Sequence, residues 1–399
     1  MLTATPVRTL SEDELRSRVE RWASVEHGSA TDGEAVVAEM LADELRELGL
    51  DVVVEEAPAH GGYWFPIGIP TMVAALAGFL GRAVSVVVGL FAAAAVADDV
   101  NCERYWFRRR FLKTRTTRNV VATVGPADAE RTLVFSAHYD APHAGLVFHP
   151  ELPRFPARRF PKLLARAHTT PPTMWGAFFG PLAVALGALF GFPRVRKAGA
   201  FLSAGYAAAM ADIALRDVVP GANDNLSGVA AQMSLAYALA ADPPQNTRVI
   251  LLFPGSEESF QEGMHAWLNR HQAELPRRTT AFVNHETVGS PMLVLLEGEG
   301  MLGITDYSAE LKRRIRAIGD DLGIYLYEGL RTRNASDSLI PLRRGYTCAV
   351  LASCDEYKAP TNYHWPTDVP DNLCYDTVAD CARITLELTR RLDRAGSAR

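Results

Sequence analysis

Paired cysteines are what this 399-residue chain most plainly lacks. The five it has, Cys102, Cys348, Cys354, Cys374 and Cys381, are odd in number and contain no Cys-x-x-Cys pair. That argues against a disulfide framework or a thiolate metal site and points to reduced, mostly buried thiols. A basic excess is also missing: 41 Lys and Arg stand against 46 Asp and Glu, a net charge of -5, so nothing global favours nucleic acid. No basic start followed by an apolar run opens the chain as in a secretion signal. Instead Ser11 to Glu14 spells a Ser-x-x-Glu capping box, and Thr31 to Glu34 repeats it before a helix that stops at Gly49. With 48% hydrophobic residues, the chain can bury one large core or two smaller ones.

What is present is an alternation of short β-branched runs and helical stretches. Strands are predicted at Asp51 to Glu56, Asn119 to Val124, Thr132 to Ser136, Arg248 to Phe253, Thr280 to Val283 and Thr347 to Leu351. Helices are predicted at about Asn225 to Ala240, Tyr307 to Leu322 and Leu373 to Leu392. The fold class this implies is α/β, a mixed, mostly parallel sheet with helices on both faces.

Five stretches carry imidazoles and carboxylates at the ends of those runs: His138-Tyr139-Asp140, Asn223-Asp224-Asn225, Glu257-Glu258, Asn284-His285-Glu286 and Tyr363-His364. Side chains distant in sequence converge at the carboxyl ends of strands in open α/β sheets. Two imidazoles and three acids suit a pair of cations, which needs a carboxylate to bridge it, and one Glu is left over beside a ligand. His285 should face away if Glu286 faces in, because strand side chains alternate. His143, His149, His168 and His265 are left out as ligands.

Two long segments stand outside the alternation. Pro66 to Ala97 is apolar except for Arg82, and Met174 to Leu215 is apolar apart from Arg194, Arg196, Lys197 and Asp212. Each is expected to form a helical hairpin, and Met174 to Phe192, without a charge, approaches the ~20 residues that cross a bilayer. Arg104, Arg108, Arg109, Arg110, Lys113, Arg115 and Arg118 follow the first segment, and Arg154, Arg158, Arg159, Lys162 and Arg166 precede the second. Such clusters favour the cytoplasmic face and anionic lipid. Helices buried in an enlarged core or a dimer interface would read the same way. The expected organisation is one α/β domain over 1–65, 119–142 and 218–399, with apolar helical insertions at 66–118 and 143–217.

In order, His138-x-Asp140, Gly221-Ala222-Asn223-Asp224-Asn225-x-Ser227-Gly228, Gly255-x-Glu257-Glu258, Asn284-x-Glu286-x-x-Gly289, Ser336-Asp337 and Tyr363-His364-x-x-x-Asp368 resemble family 28 of the metallopeptidases. That family includes di-zinc aminopeptidases, glutamate carboxypeptidase, glutaminyl cyclase and the inactive transferrin receptor. The resemblance implies a zinc exopeptidase fold with two zinc ions. Asp224 would bridge them, His138 and Glu286 would complete one set of ligands, and Glu258 and His364 the other. Glu257 would be the general base. Three protein ligands per zinc leave the open position that catalysis requires, and Glu257 is free to take a proton from water and pass it to the leaving amine. Asp140 is placed to accept a hydrogen bond from the second nitrogen of His138, and Tyr363 is the candidate donor to a developing oxyanion. One position departs from the pattern, since the family usually has Asp where this chain has Glu286.

The expectation is a membrane-associated, zinc-dependent exopeptidase, foremost an aminopeptidase acting on peptides. The alternatives are a carboxypeptidase or glutaminyl cyclase on the same scaffold and, from another class, a non-catalytic membrane receptor or scaffold. Membrane lipid is an expected partner and nucleic acid is not; the site of action is the inner or plasma membrane, with the catalytic part cytoplasmic and no signal peptide.

Overall fold

The computed structural model of the chain describes residues 9–396. Its strands, in chain order, are β1 (Asp51–Ala59), β2 (Arg115–Val124), β3 (Arg131–Ser136), β4 (Thr247–Phe253), β5 (Thr280–Glu286), β6 (Met292–Leu295), β7 (Gly298–Glu299), β8 (Thr305–Asp306), β9 (Arg331–Thr332) and β10 (Thr347–Cys354). Seven of them pair in the order β1-β2-β4-β3-β5-β10-β6, and β7, β8 and β9 form a small second sheet. β4, β3, β5 and β10 run parallel, while β2 and β6 run against their neighbours. The mixed, mostly parallel α/β sheet expected from the sequence is therefore present. All six runs read as strands are in it, and only the short β6 and the small second sheet escaped the reading.

The amino-terminal helices are α1 (Glu12–Ala23) and α2 (Asp32–Glu47). Ser11 closes the capping box on α1, with the Glu14 N–H donating to its hydroxyl and the Glu14 carboxylate accepting from its N–H at 2.8 Å. The two apolar segments and their basic flanks supply α3 (Trp64–Ala77), α4 (Arg82–Val100), α5 (Trp106–Phe111), α6 (Glu151–Arg159), α7 (Pro161–Arg166), α8 (Trp175–Leu189) and α9 (Pro193–Ala214). After them come α10 (Ser227–Ala241), α11 (Glu262–His271), α12 (Ala309–Leu322), α13 (Leu339–Arg343) and α14 (Tyr375–Gly396).

Both faces of the sheet are covered, so the central strands are apolar almost throughout rather than alternating. Leu133 and Phe135 of β3 join a core with α1, α2, α10, α12 and α14. Val134 between them points the other way, into a core shared with α3, α8, α9, α11 and α13. The cysteines fit this picture: all five are free, and all but Cys374 are buried.

The two apolar segments do form hairpins, α3 with α4 and α8 with α9, and the hairpins pack together, α3 on α9 and α4 on α8. Small residues allow the close approach: a Cβ on Gly199 would stand 2.7 Å from the Gly180 carbonyl oxygen. At the hairpin turns, Arg82 donates to the Ala188 and Leu189 carbonyls at 3.0 and 3.2 Å, and Arg196 to the Leu80 carbonyl at 3.3 Å. These cations thus add side-chain donors to carbonyls at the ends of the helices.

Met174 to Phe192 forms a shorter helix than its composition foretold. α8 has 15 residues and contains Pro181, about 22 Å at 1.5 Å per residue, short of a hydrocarbon core of about 30 Å. Among the described residues only α4, with 19, is long and apolar enough to cross a membrane, and half of its apolar stretch is buried within the protein.

Candidate active site

The ligand candidates sit where the sheet ends. His138 lies two residues past β3, Glu257 and Glu258 occupy a short turn after β4, Glu286 is the last residue of β5, and His364 lies in the loop beyond β10. Asp224 lies in an irregular turn, 222–226, just before α10, which is why that helix starts later than its apolar pattern suggested. Flanking residues fix the turn. The Asn223 amide oxygen accepts from the Gly289 N–H at 2.9 Å, and the Asn225 oxygen accepts from the Thr287 N–H at 2.9 Å. The Asp368 carboxylate accepts from the Asn223 and Asp224 N–H groups at 2.7 and 3.1 Å.

Two triads share Asp224. Its Oδ1 is 3.3 Å from His138 Nε2, which is 3.6 Å from Glu286 Oε1. Its Oδ2 is 3.2 Å from His364 Nε2, which is 3.3 Å from Glu258 Oε1. Ligands at about 2.0–2.1 Å from a tetrahedral zinc stand about 3.3 Å from one another. Both Nε2 atoms are buried without any protein hydrogen-bond partner, as expected of nitrogens aimed at a cation. The donor set of two imidazoles and three carboxylates fits zinc, and the two carboxylate oxygens of Asp224 face different imidazoles.

Charge makes the same case. Asp224, Glu257, Glu258, Glu286 and Asp337 are crowded around two imidazoles, all buried except the partly exposed Glu286. Burial, reinforced by Glu258, Glu286 and Asp337, pushes the Glu257 carboxyl well above the ordinary range. Burial alone would lower His364, yet Glu258 and Asp224 carry it up to about 10. An excess of buried negative charge demands compensation, which a divalent cation supplies.

Asp140 holds the site differently from expectation. The His138 Nδ1 lies nearest the Asp140 backbone oxygen, at 3.1 Å, and 3.5 Å from its carboxylate. The carboxylate is occupied elsewhere, accepting from the Glu257 and Glu258 N–H groups at 2.9 and 3.1 Å and from the Ser29 hydroxyl at 2.5 Å. Asp140 therefore fixes the Glu257-Glu258 turn as well as the imidazole.

That turn is also held from the first insertion. Ser256, Phe260 and Gln261 adopt left-handed backbone conformations, at φ of 53°, 60° and 55°, a strain the surroundings must sustain. The Arg108 guanidinium donates to the Ser259 carbonyl at 2.6 Å, and Tyr105 donates to the Phe260 carbonyl at 2.6 Å. The Cys102 thiol donates to the Gln261 amide oxygen, and the Gln261 amide nitrogen donates to Glu257 Oε1 at 2.5 Å. Arg108 was expected in a lipid-facing basic cluster. It is instead fully buried, paired with Asp99 at 2.9 Å and Glu262 at 3.0 Å.

Tyr363 stacks on His364 with ring centroids 4.0 Å apart and lines the cavity beside Glu257 and Glu258. Tyr63, which the sequence did not single out, is buried against the same carboxylates and stacks on Phe260. Nothing in its sequence context distinguishes it. His285 turns away, as the alternation required, and packs on Phe135. His143 packs at a tilt against Trp64, His149 meets Trp365 edge to face, and His265 bonds the Glu103 carbonyl oxygen, so none joins the cluster.

A mostly parallel sheet with acids and imidazoles gathered at its strand ends has the architecture of the zinc-dependent exopeptidases. One from Parabacteroides distasonis superposes with a TM-score of 0.57 at 13% identity, covering 96% of this chain and 99% of that one. A glutaminyl cyclase from Bacteroides thetaiotaomicron, bound to N-acetylhistamine, gives 0.57 at 12% identity over 95% and 97%. A zinc aminopeptidase from Bacillus subtilis gives 0.54 at 14% identity over 96% and 94%. In sequence, residues 207–389 match the model of peptidase family M28, and the resemblance read from the motifs is to that family. No curated protein matches the chain significantly.

Proposed function

We propose that the protein is a membrane-associated zinc exopeptidase that removes the N-terminal residue from peptides or related amides. The observation that carries this reading is Asp224, whose two carboxylate oxygens lie 3.3 and 3.2 Å from the imidazoles of His138 and His364. His138, Asp224 and Glu286 would hold one zinc ion, and Asp224, Glu258 and His364 a second. Zinc bound there would act as a Lewis acid and make a water acidic near neutral pH.

Glu257 is the base. Gln261 occupies its Oε1, leaving Oε2 to take a proton from the attacking water and to return it to the leaving nitrogen. Burial keeps that carboxyl proton-hungry. Tyr363, and Tyr63 facing the same carboxylates, are placed to donate to the oxygen that gains charge. A small adjoining cavity, about 90 Å³, is bordered by Glu286, Glu299 and Asn334 and suits a compact residue with a free ammonium group.

The purified protein is expected to hold close to two zinc ions per chain and to lose activity on chelation. A panel of free-amine, N-blocked and N-terminal glutamine peptides tests the reaction: the first and third should lose their N-terminal residue and the blocked peptide should not. Cyclisation of the glutamine peptide would favour the cyclase reading that the Bacteroides thetaiotaomicron likeness raises. Absence of bound transition metal after gentle purification would sink both.

Membrane association is supported by the apolar side chains that the helical module leaves uncovered. Leu76, Val87 and Phe190 are 62%, 68% and 63% exposed, and contiguous apolar surface of this kind marks contact with lipid or protein. The protein should sediment with membranes, stay there through high salt and carbonate, and dissolve in detergent. Recovery as a stable oligomer without detergent would instead assign those side chains to a subunit interface.

A further inference from the structure

A cavity of about 1020 Å³ is continuous with the candidate active site: Glu257, Glu258, His364 and Tyr363 line it. It is at the upper end of the range of about 300–1,000 Å³ usual for small-molecule sites. Much of its wall comes from the second insertion. Leu152, Phe160 and Leu163 of the α6–α7 arm face Phe201, Leu202 and Met210 of α9. The walls continue outward onto the uncovered apolar surface, with Leu163 72% and Phe201 68% exposed.

Several polar groups along this groove are already engaged. Lys358 donates to the Leu164 and Ala167 carbonyls at 2.9 and 2.8 Å, the Tyr206 hydroxyl donates to the Thr173 carbonyl, and Arg154 lies over the Tyr357 ring. A peptide occupant would bring backbone amides that find few partners, each at a cost. A hydrocarbon chain brings none. The α6–α7 arm, with Arg154, Arg158, Arg159 and Lys162 between Leu152, Phe155 and Leu163, has the composition of a helix that lies in a lipid interface. The groove thus opens where lipid chains would be.

Resting on the exopeptidase reading above, we infer that the substrate is an aminoacyl amide, or very short peptide, carrying a long aliphatic chain on the amine side of the scissile bond. The small residue enters the acidic cavity of about 90 Å³, and the chain lies between the α6–α7 arm and α9. Hydrolysis adds water across the amide carbonyl carbon and nitrogen, releasing a free amino acid carboxylate and a long-chain amine that takes the proton.

The test uses the full-length zinc protein in phosphatidylcholine discs without detergent, and alanyl amides of butylamine, octylamine and dodecylamine. Each buried methylene should raise kcat/KM roughly fourfold, and butyl to dodecyl by at least about 100-fold. Gly205→Trp places a ring in the groove at a position where a Cβ meets nothing within 4 Å, and the dodecyl-to-butyl ratio should collapse toward one. A diazirine-tagged alanyl dodecylamide, irradiated with chelated protein, should label α6, α7 and the groove side of α9. The same chain-length profile in wild type and variant, labelling confined to other surfaces, or preference for an alanyl oligoleucine of equal length would each overturn the inference. If no amide is hydrolysed by the zinc protein, the exopeptidase reading fails, and the label map alone decides whether the groove holds the chain.

Discussion

Glu257→Gln is expected to lower kcat by roughly 10² to 10⁴ while zinc content stays at the wild-type level. The amide keeps the shape of the carboxyl and can still pair with Gln261, but it cannot take a proton from water. Glu257 belongs to neither triad centred on Asp224, although it lies close to His138 and Glu258, its Oε2 3.9 Å from His138 Nε2. Glu258→Gln should behave in the opposite sense, because Glu258 lies 3.3 Å from His364 within a triad; it should lose metal first and activity as a consequence. Parallel measurements of kcat and of zinc by elemental analysis separate the two. Wild-type turnover in both variants would remove the Glu-Glu assignment.

Arg108→Met is expected to destabilise the protein by about 3–5 kcal/mol, the usual consequence of removing one partner from a buried charge network. The methionine fills similar space, yet Asp99 and Glu262 are left without the cation that lies 2.9 and 3.0 Å from them, in a region closed to water. Lysine is not an equivalent replacement, because one ammonium cannot reproduce the forked donors that reach Asp99, Glu262 and Ser259 together. Denaturant unfolding of both proteins in the same detergent reads the difference. A shift under about 1 kcal/mol would show that water reaches the cluster and that the pair is worth little.

Much of this site was legible because its residues are constrained by order as well as by type. Asn223-Asp224-Asn225 stands out in sequence, and the structure shows why both asparagines are needed: each ties the turn to the segment just beyond β5. The strands were legible from apolar runs, since a sheet covered on both faces needs no polar alternation. Other parts left no local trace. Arg108 sits in Arg108-Arg109-Arg110 and reads as surface charge, whereas its burial depends on Asp99 and on Glu262, more than 150 residues further along the chain. Tyr63 and Gln261 gain their positions only from tertiary contacts. Met174 to Phe192 misled by composition: Gly191 at φ 74° and Pro193 at the start of α9 end and reverse the chain before a full span is built.

The polar clamp between the first insertion and the turn after β4 makes the helical module hard to excise. Cys102, Tyr105 and Arg108, the last paired with Asp99, hold Ser259 to Glu262, so trimming residues 66–118 as a unit would strip the variant of the supports behind Glu257. A workable truncation would cut within the hairpin, keep the chain from Asp99 onward, and replace only the outward apolar side chains. The same arithmetic faces natural descent. A lineage could exchange the exposed apolar positions one at a time, but loss of the whole insertion would require the turn carrying Glu257 to be rebuilt in the same step.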